Sequence, residues 1–165
     1  MQARTQKRLS LDTNVLFDLA DEQDFAHDFR ETARRKGYAL LISPTVVAEL
    51  YFLQRHGDAE ERRLAALSLA RIATWDIQGV SLSTVQLDLA RCLAAAIRDR
   101  KLLPETEVND AFILAEAAAI SIPLVVSSDQ HLLDMDGDAL RDMCLKADLP
   151  PVFPVHPRRL LRALR

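Results

Sequence analysis

Four acidic residues stand in surroundings suited to chemistry: Asp12, Glu49, Asp110 and Asp129. Asp12 ends an apolar, strand-like run, Leu9-Ser10-Leu11, and precedes Thr13, Asn14 and a helical pattern. Ligands of an open α/β sheet bind beyond the carboxyl ends of its strands. An aspartate there, with two small polar neighbours, is placed to hold a metal ion or accept a proton. The competing local explanation is a helix N-cap, a common duty for Asp and Thr. The run Leu-Val-Val at 124–126 repeats the pattern as a strand buried on both faces. Ser127-Ser128-Asp129 follows, then a helical turn at 130–133. Two strand ends with the same chemistry are harder to credit to capping than one.

The other two acids fall on helices. Ser43-Pro44 is a helix start, a capping hydroxyl with proline at the first helical position. Val46, Val47, Leu50 and Leu53 recur at three and four and mark its core stripe. Glu49 lies on or beside that stripe. A carboxylate entering an apolar face costs free energy unless it is paired or metal-bound; the plainer alternative is a Glu at the stripe's edge that reaches water or an arginine. A second helix is expected over 105–120, capped by Thr106 with Glu107 in its first turn. Asp110 shares a face there with Ile113 or Leu114, Ala117 and Ala118. If the strands are parallel neighbours, right-handed crossovers bring both helices round one end of the sheet. The four carboxylates then converge. Without histidine or thiolate they make a hard oxygen site, suited to magnesium or manganese. Without a cation they repel one another, and some take up protons.

The elements that must position these groups follow along the chain. Helical patterns cover 13–20 and 24–36, with Gly37 as a stop, and Tyr38 to Ile42 reads as a short buried strand. The basic end of the second helix, Arg30, Arg34, Arg35 and Lys36, suits the helix dipole better than an RNA-contact patch. Helices are expected over 58–75 and 84–102, the first with Leu64, Leu67, Ala70 or Arg71, and Ile72 inward; a brief strand or extended link containing Gly79 joins them. The acidic turn at 134–138 faintly resembles a calcium loop but lacks that loop's later ligands, and a helix over 139–146 follows. Residues 150–154 read as an edge strand, because proline cannot donate to a ladder. Pro157 opens a last helix with Leu160, Leu161 and Leu164 on one side and Arg158, Arg159, Arg162 and Arg165 among them. Those arginines read as a solvated tail.

At 165 residues the chain is expected to form one domain, 1–165, with a real core. Only 5% of residues are aromatic, which disfavours a base-stacking platform of the single-strand-binding kind. The net charge of −3 carries no global basic signal for nucleic acid, but a metal-binding acid cluster itself makes a nuclease more acidic. Cys92 and Cys144 read as reduced, small buried hydrophobes. The scattered histidines lack zinc spacing, and neither a phosphate loop nor a Gly-x-Ser-x-Gly elbow is present. No apolar run approaches the ~18 residues of a membrane span, and residues 1–8 are basic and polar, unlike a secretory signal. A cytoplasmic location is expected.

In order and spacing, Leu-Asp-Thr-Asn-Val-Leu at 11–16, Ser-Pro-Thr-Val-Val-Ala-Glu-Leu at 43–50, Asn-Asp-Ala-Phe-Ile-Leu-Ala-Glu-Ala at 109–117 and Val-Val-Ser-Ser-Asp-Gln-His-Leu-Leu at 125–133 resemble the PIN-domain family of metal-dependent ribonucleases. The Ser-Pro start and the Ser-Asp-x-x-Leu-Leu ending look most like a bacterial branch of toxin components of toxin–antitoxin pairs. Ser127 stands where the family usually has threonine, keeping the hydroxyl. The resemblance implies a three-layer α/β/α fold with a mostly parallel sheet, and hydrolysis of single-stranded RNA. It also implies that Asp12, Glu49, Asp110 and Asp129 bind one or two Mg2+ or Mn2+ ions, with Asn14 and Ser127 orienting ligands or water behind them. An antitoxin partner and a homodimer are implied as well; helices 58–75 and 84–102 show more apolar surface than one sheet face needs. Two other readings compete. One is a PIN-fold regulatory or RNA-binding module with little or no cleavage. The other is a phosphatase using Asp12 as nucleophile, which needs a second aspartate where Asn14 stands.

Overall fold

The computed structural model describes residues 7–165; most of the polar, basic start read as unlike a secretory signal lies outside them. Five strands, β1 (Lys7–Leu11), β2 (Tyr38–Ile42), β3 (Ile77–Gly79), β4 (Leu124–Val126) and β5 (Phe153–Val155), form one sheet in the order β3-β2-β1-β4-β5. Every pairing among them is parallel, so the mostly parallel sheet of the sequence reading is wholly parallel. Leu9 and Leu11 of the central strand are fully buried, as a strand covered on both faces must be. The chain moves from β1 outward through β2 to β3, then returns to lay β4 on the other side of β1. That reversal creates the crevice where such sheets bind ligands, between the carboxyl ends of β1 and β4.

Helices α1 (Thr13–Ala20), α2 (Asp24–Arg35), α3 (Pro44–His56) and α4 (Ala59–Arg71) serve the β1-to-β3 half. Helices α5 (Thr84–Asp99) and α6 (Val108–Ala119) carry the long crossover to β4, and α7 (Gln130–Leu133) with α8 (Gly137–Lys146) lead to β5. The reversal of direction sends right-handed crossovers to opposite faces, giving the α/β/α layers. The last helix, α9 (Pro157–Leu164), packs on α2. Nine of the twelve residues of α6 are buried. Its alanines let α5 approach closely, and the buried apolar side chains join into one continuous core.

Several local expectations change. Helix α6 begins at Val108, not 105, because Pro104 and Glu107 close a turn through the Glu107 N–H to Pro104 carbonyl bond (3.0 Å). Thr106 therefore does not cap, and Asp110 falls in the first turn of α6. Helix α4 ends at Arg71; Ala70 and Arg71 are exposed while Ser68 is buried, its hydroxyl donating to the Leu16 carbonyl (3.3 Å). The apolar surplus expected of α4 and α5 is mostly taken up by helix-on-helix packing, with Val85 the large exposed exception there. Cys144 is buried but Cys92 is exposed. At the basic end of α2, Arg34 pairs with Asp76 (2.9 Å). Gly37 takes the left-handed φ of +81° that lets the chain leave α2 and enter β2. Among the described residues no helix is long and apolar enough to cross a membrane.

Candidate active site

The sheet delivers two of the acids directly. The Asp12 N–H donates to the Val126 carbonyl (2.9 Å) and the Ser127 N–H to the Val155 carbonyl (3.0 Å), so the ladder runs one bond beyond the strands and fixes both positions. Asp12 is 2% exposed. Its Oδ1 accepts from the Thr13 N–H (2.7 Å) and its Oδ2 from the Ser127 hydroxyl (2.7 Å). Asp129 uses Oδ1 to accept from the His131 N–H (2.6 Å), and its Oδ2 accepts from Asn14 Nδ2 (3.3 Å). Both strand-end aspartates are thus N-caps as well as members of a shared polar group. The capping explanation and the site explanation coexist, each using a different oxygen. Ser127 ties the two ends together, since its hydroxyl also accepts from the Asp129 N–H (2.9 Å).

The helices bring the rest. Glu49 projects from α3, where one oxygen accepts a short bond from the Thr13 hydroxyl and the other accepts from Asn109 Nδ2 (3.0 Å). Asp110 enters from the first turn of α6 and is 9% exposed. All four acids line one cleft of about 190 Å³. Glu61 and Glu107 line it too, and neither stands out in the sequence as a site residue. Glu61 is legible there only as the last member of an Asp-x-x-Glu capping box with Asp58.

Burial sets the electrostatics. Asp12 is raised to about 7, first by burial, against which the Ser127 bond works, and then by the charges of Glu49 and Asp129. Asp110 is raised to about 8 by burial and then by the charges of Asp12, Asp129, Glu107 and Glu49. Both shifts run in the direction expected of crowded carboxylates. Every oxygen named above has a donor from this chain, but Asp110 Oδ2 is buried with none. A divalent cation fits this set chemically: hard oxygens, concentrated negative charge and one unpartnered buried acceptor. Among the described residues no three acids already surround a common point as ligands would, so binding requires side-chain rotation.

A further acid escapes sequence reasoning. Glu116 on α6 is 5% exposed, and its carboxylate accepts from the Thr45 N–H (3.2 Å) and the Thr45 hydroxyl (2.8 Å). It caps α3 from another helix. Ser43, expected to do so, makes no such bond, and its hydroxyl is buried without a partner. The one signal for Glu116 in the sequence is an acid inside an otherwise apolar, alanine-rich helix.

The PIN-domain family model matches residues 9–138. The chain belongs to the PIN-domain family. Among solved structures, this PIN domain is similar to a chain of VapBC2 from Rickettsia felis, in a crystal structure with a DNA fragment from their promoter. The likeness has a TM-score of 0.62 at 16% identity and covers 90% of this chain and 98% of that one. A chain in the 2.2 Å structure of VapBC-1 from nontypeable Haemophilus influenzae matches with a TM-score of 0.49 at 16% identity, over 78% of this chain and 95% of that one. No curated protein sequence matches.

Proposed function

We propose that this PIN domain is a metal-dependent ribonuclease that hydrolyses phosphodiester bonds of single-stranded RNA, and that it is the toxin of a toxin–antitoxin pair. The observation that carries the reading is Asp110 Oδ2, a buried acceptor without a donor in a cleft walled by Asp12, Glu49 and Asp129. On this reading those four residues hold Mg2+ or Mn2+. The bound cation supplies Lewis acidity towards water and the phosphate oxygens. Asp110 would accept the proton of the attacking water as its oxygen bonds to phosphorus; the bond to the leaving sugar oxygen breaks, and that oxygen takes a proton from solvent to leave as a hydroxyl. Ser127 and Asn14 keep Asp12 and Asp129 oriented through the bonds described above.

The toxin assignment is supported by the family's sequence motifs and by the name VapBC2 on a structure of the same fold. It carries with it an antitoxin partner, a homodimer, a cytoplasmic site of action and a chain working as one domain, the last supported by the single core among the described residues. A PIN module that binds RNA without cutting it is the second reading, favoured by the spread of the acids, which among the described residues do not surround one point. The phosphatase alternative is disfavoured because Asn14 donates to Asp129 and has no proton to offer as an acid. Incubation with mixed single-stranded RNA, with Mg2+, Mn2+ or chelator, separates the first two. Cleavage that needs metal and is lost in Asp110→Asn supports the nuclease. Binding without cleavage supports the module, and cleavage independent of both metal and Asp110 refutes the mechanism. Growth arrest on expression, relieved by Asp12→Asn, tests the toxin.

A further inference from the structure

Among the described residues no lysine or arginine lines the acidic cleft to receive an RNA backbone, yet arginines without an ion pair lie beside it. Strands β1, β4 and β5 are neighbours, and each ends at the same edge of the sheet: Asp12 after β1, Ser127 to Asp129 after β4, His156 after β5. With about 4.8 Å between strands, His156 starts roughly 10 Å along this edge from Asp12. Its Nδ1 accepts from the Arg158 N–H (3.0 Å), which leaves Nε2–H as its donor. Its ring stacks on Phe25 of α2, centroids 6.0 Å apart, and the Arg158 guanidinium lies 4.3 Å from the centroid of the same phenyl ring.

The arginines of this ledge are held in place without an ion pair among the described residues. Arg34, Arg63, Arg71 and Arg141 each stand against an acid. Among the described residues, Arg158, Arg159 and Arg162 have no such partner. Asp18 feels the charges of His156 and Arg158, but its carboxylate accepts from the Ser128 hydroxyl (2.8 Å) and forms no ion pair with either. An arginine fixed over an aromatic ring, with its donors free, meets phosphate oxygens and presents a plane on which an unstacked base can lie.

We propose that Phe25, His156, Arg158 and Arg162 form the ledge on which single-stranded RNA lies as it enters or leaves the acidic cleft, the arginines on phosphates and the rings beneath a base. The proposal rests on the RNA reading above and replaces the solvated tail expected for this helix. It is tested by binding, with cleavage scored separately. Fluorescence anisotropy of a short labelled single-stranded RNA is followed across a salt series in chelator. The proteins are wild type, Arg158→Gln with Arg162→Gln, Phe25→Leu, and Arg91→Gln on α5 as control, each checked by thermal unfolding. Each phosphate contact contributes about 0.7 to the slope of log affinity against log salt, so the double variant should lose about 1.4. Phe25→Leu should bind more weakly with no change of slope, and Arg91→Gln should match wild type. Failure of wild type to bind overturns the ledge. So does an unchanged affinity and slope in the double variant, which would leave the surface to an acidic partner protein. The expected binding losses in a protein that never cleaves RNA sustain the ledge while removing the nuclease.

Discussion

Replacing Asp110 with asparagine should stabilise the metal-free protein, and by an amount that grows with pH. The wild-type carboxyl titrates near 8 in the folded chain against 3.8 as its ordinary value. The folded state therefore holds the proton more tightly than the unfolded state. The stability this contributes is complete below about 3.8 and is lost as pH rises through about 8. Above that range Oδ2 is a buried charged acceptor without a donor, a condition that costs at least about 1–3 kcal/mol. An asparagine amide in the same place can donate to the acids around it and carries no charge. A gain of about 2 kcal/mol at the alkaline end corresponds to about 4–8 °C in Tm for a domain of this size. Thermal unfolding of both proteins in chelator, from acid to mildly alkaline pH, reads the effect directly. Near the acid end the two curves should converge. A wild type that is the more stable protein at alkaline pH without metal, or a gap that does not change with pH, refutes the electrostatic account.

Other outcomes follow from the same geometry. Saturating Mg2+ or Mn2+ should reverse the order, raising the Tm of wild type more than that of Asp110→Asn; equal shifts would show that Asp110 does not face the cation. Metal affinity measured by calorimetry should rise with pH through about 7 to 8, with proton release, because Asp12 and Asp110 must ionise to bind. Ser127→Ala removes the donor that holds Asp12 down and the acceptor of the Asp129 N–H; it should cost about 1–3 kcal/mol in denaturant unfolding and move the onset of metal binding to higher pH. Glu116→Ala strips two bonds from the start of α3 and should cost about 2–3 kcal/mol. Glu116→Gln, which keeps an acceptor, should cost less, and equal losses in the two would deny the capping role.

The strands and the two strand-end acids are readable in the sequence because both signals are local: a short apolar run followed by small polar residues and an aspartate. The meeting of Asp12 with Asp129 can be inferred from repetition, and the matching ladder bonds to Val126 and Val155 are its physical basis. The start of α6 misleads because Thr106 and Glu107 have good capping chemistry, while the turn after Pro104 is set by backbone closure that residue types do not announce. Glu116 is hidden for a different reason. Its partner, Thr45, lies 71 positions away, and no periodicity links a buried acid to the end of another helix. The arginines of α9 have the same problem in reverse: composition shows their number, but only the fold shows which of them lack an acid.

The bond from Glu116 to Thr45 has a consequence for how the four acids can move. It fastens the start of α3 to the last turn of α6, so the helix carrying Glu49 and the helix carrying Asp110 are tied to one another. Ser127 likewise fastens the ends of β1 and β4, which carry Asp12 and Asp129. The four acids are therefore held as two tied pairs, joined to each other by the Thr13 contact to Glu49. Gathering the acids round a cation then starts from two tied pairs and calls for side-chain rotations. The ordering entropy is lower than for four residues moving independently.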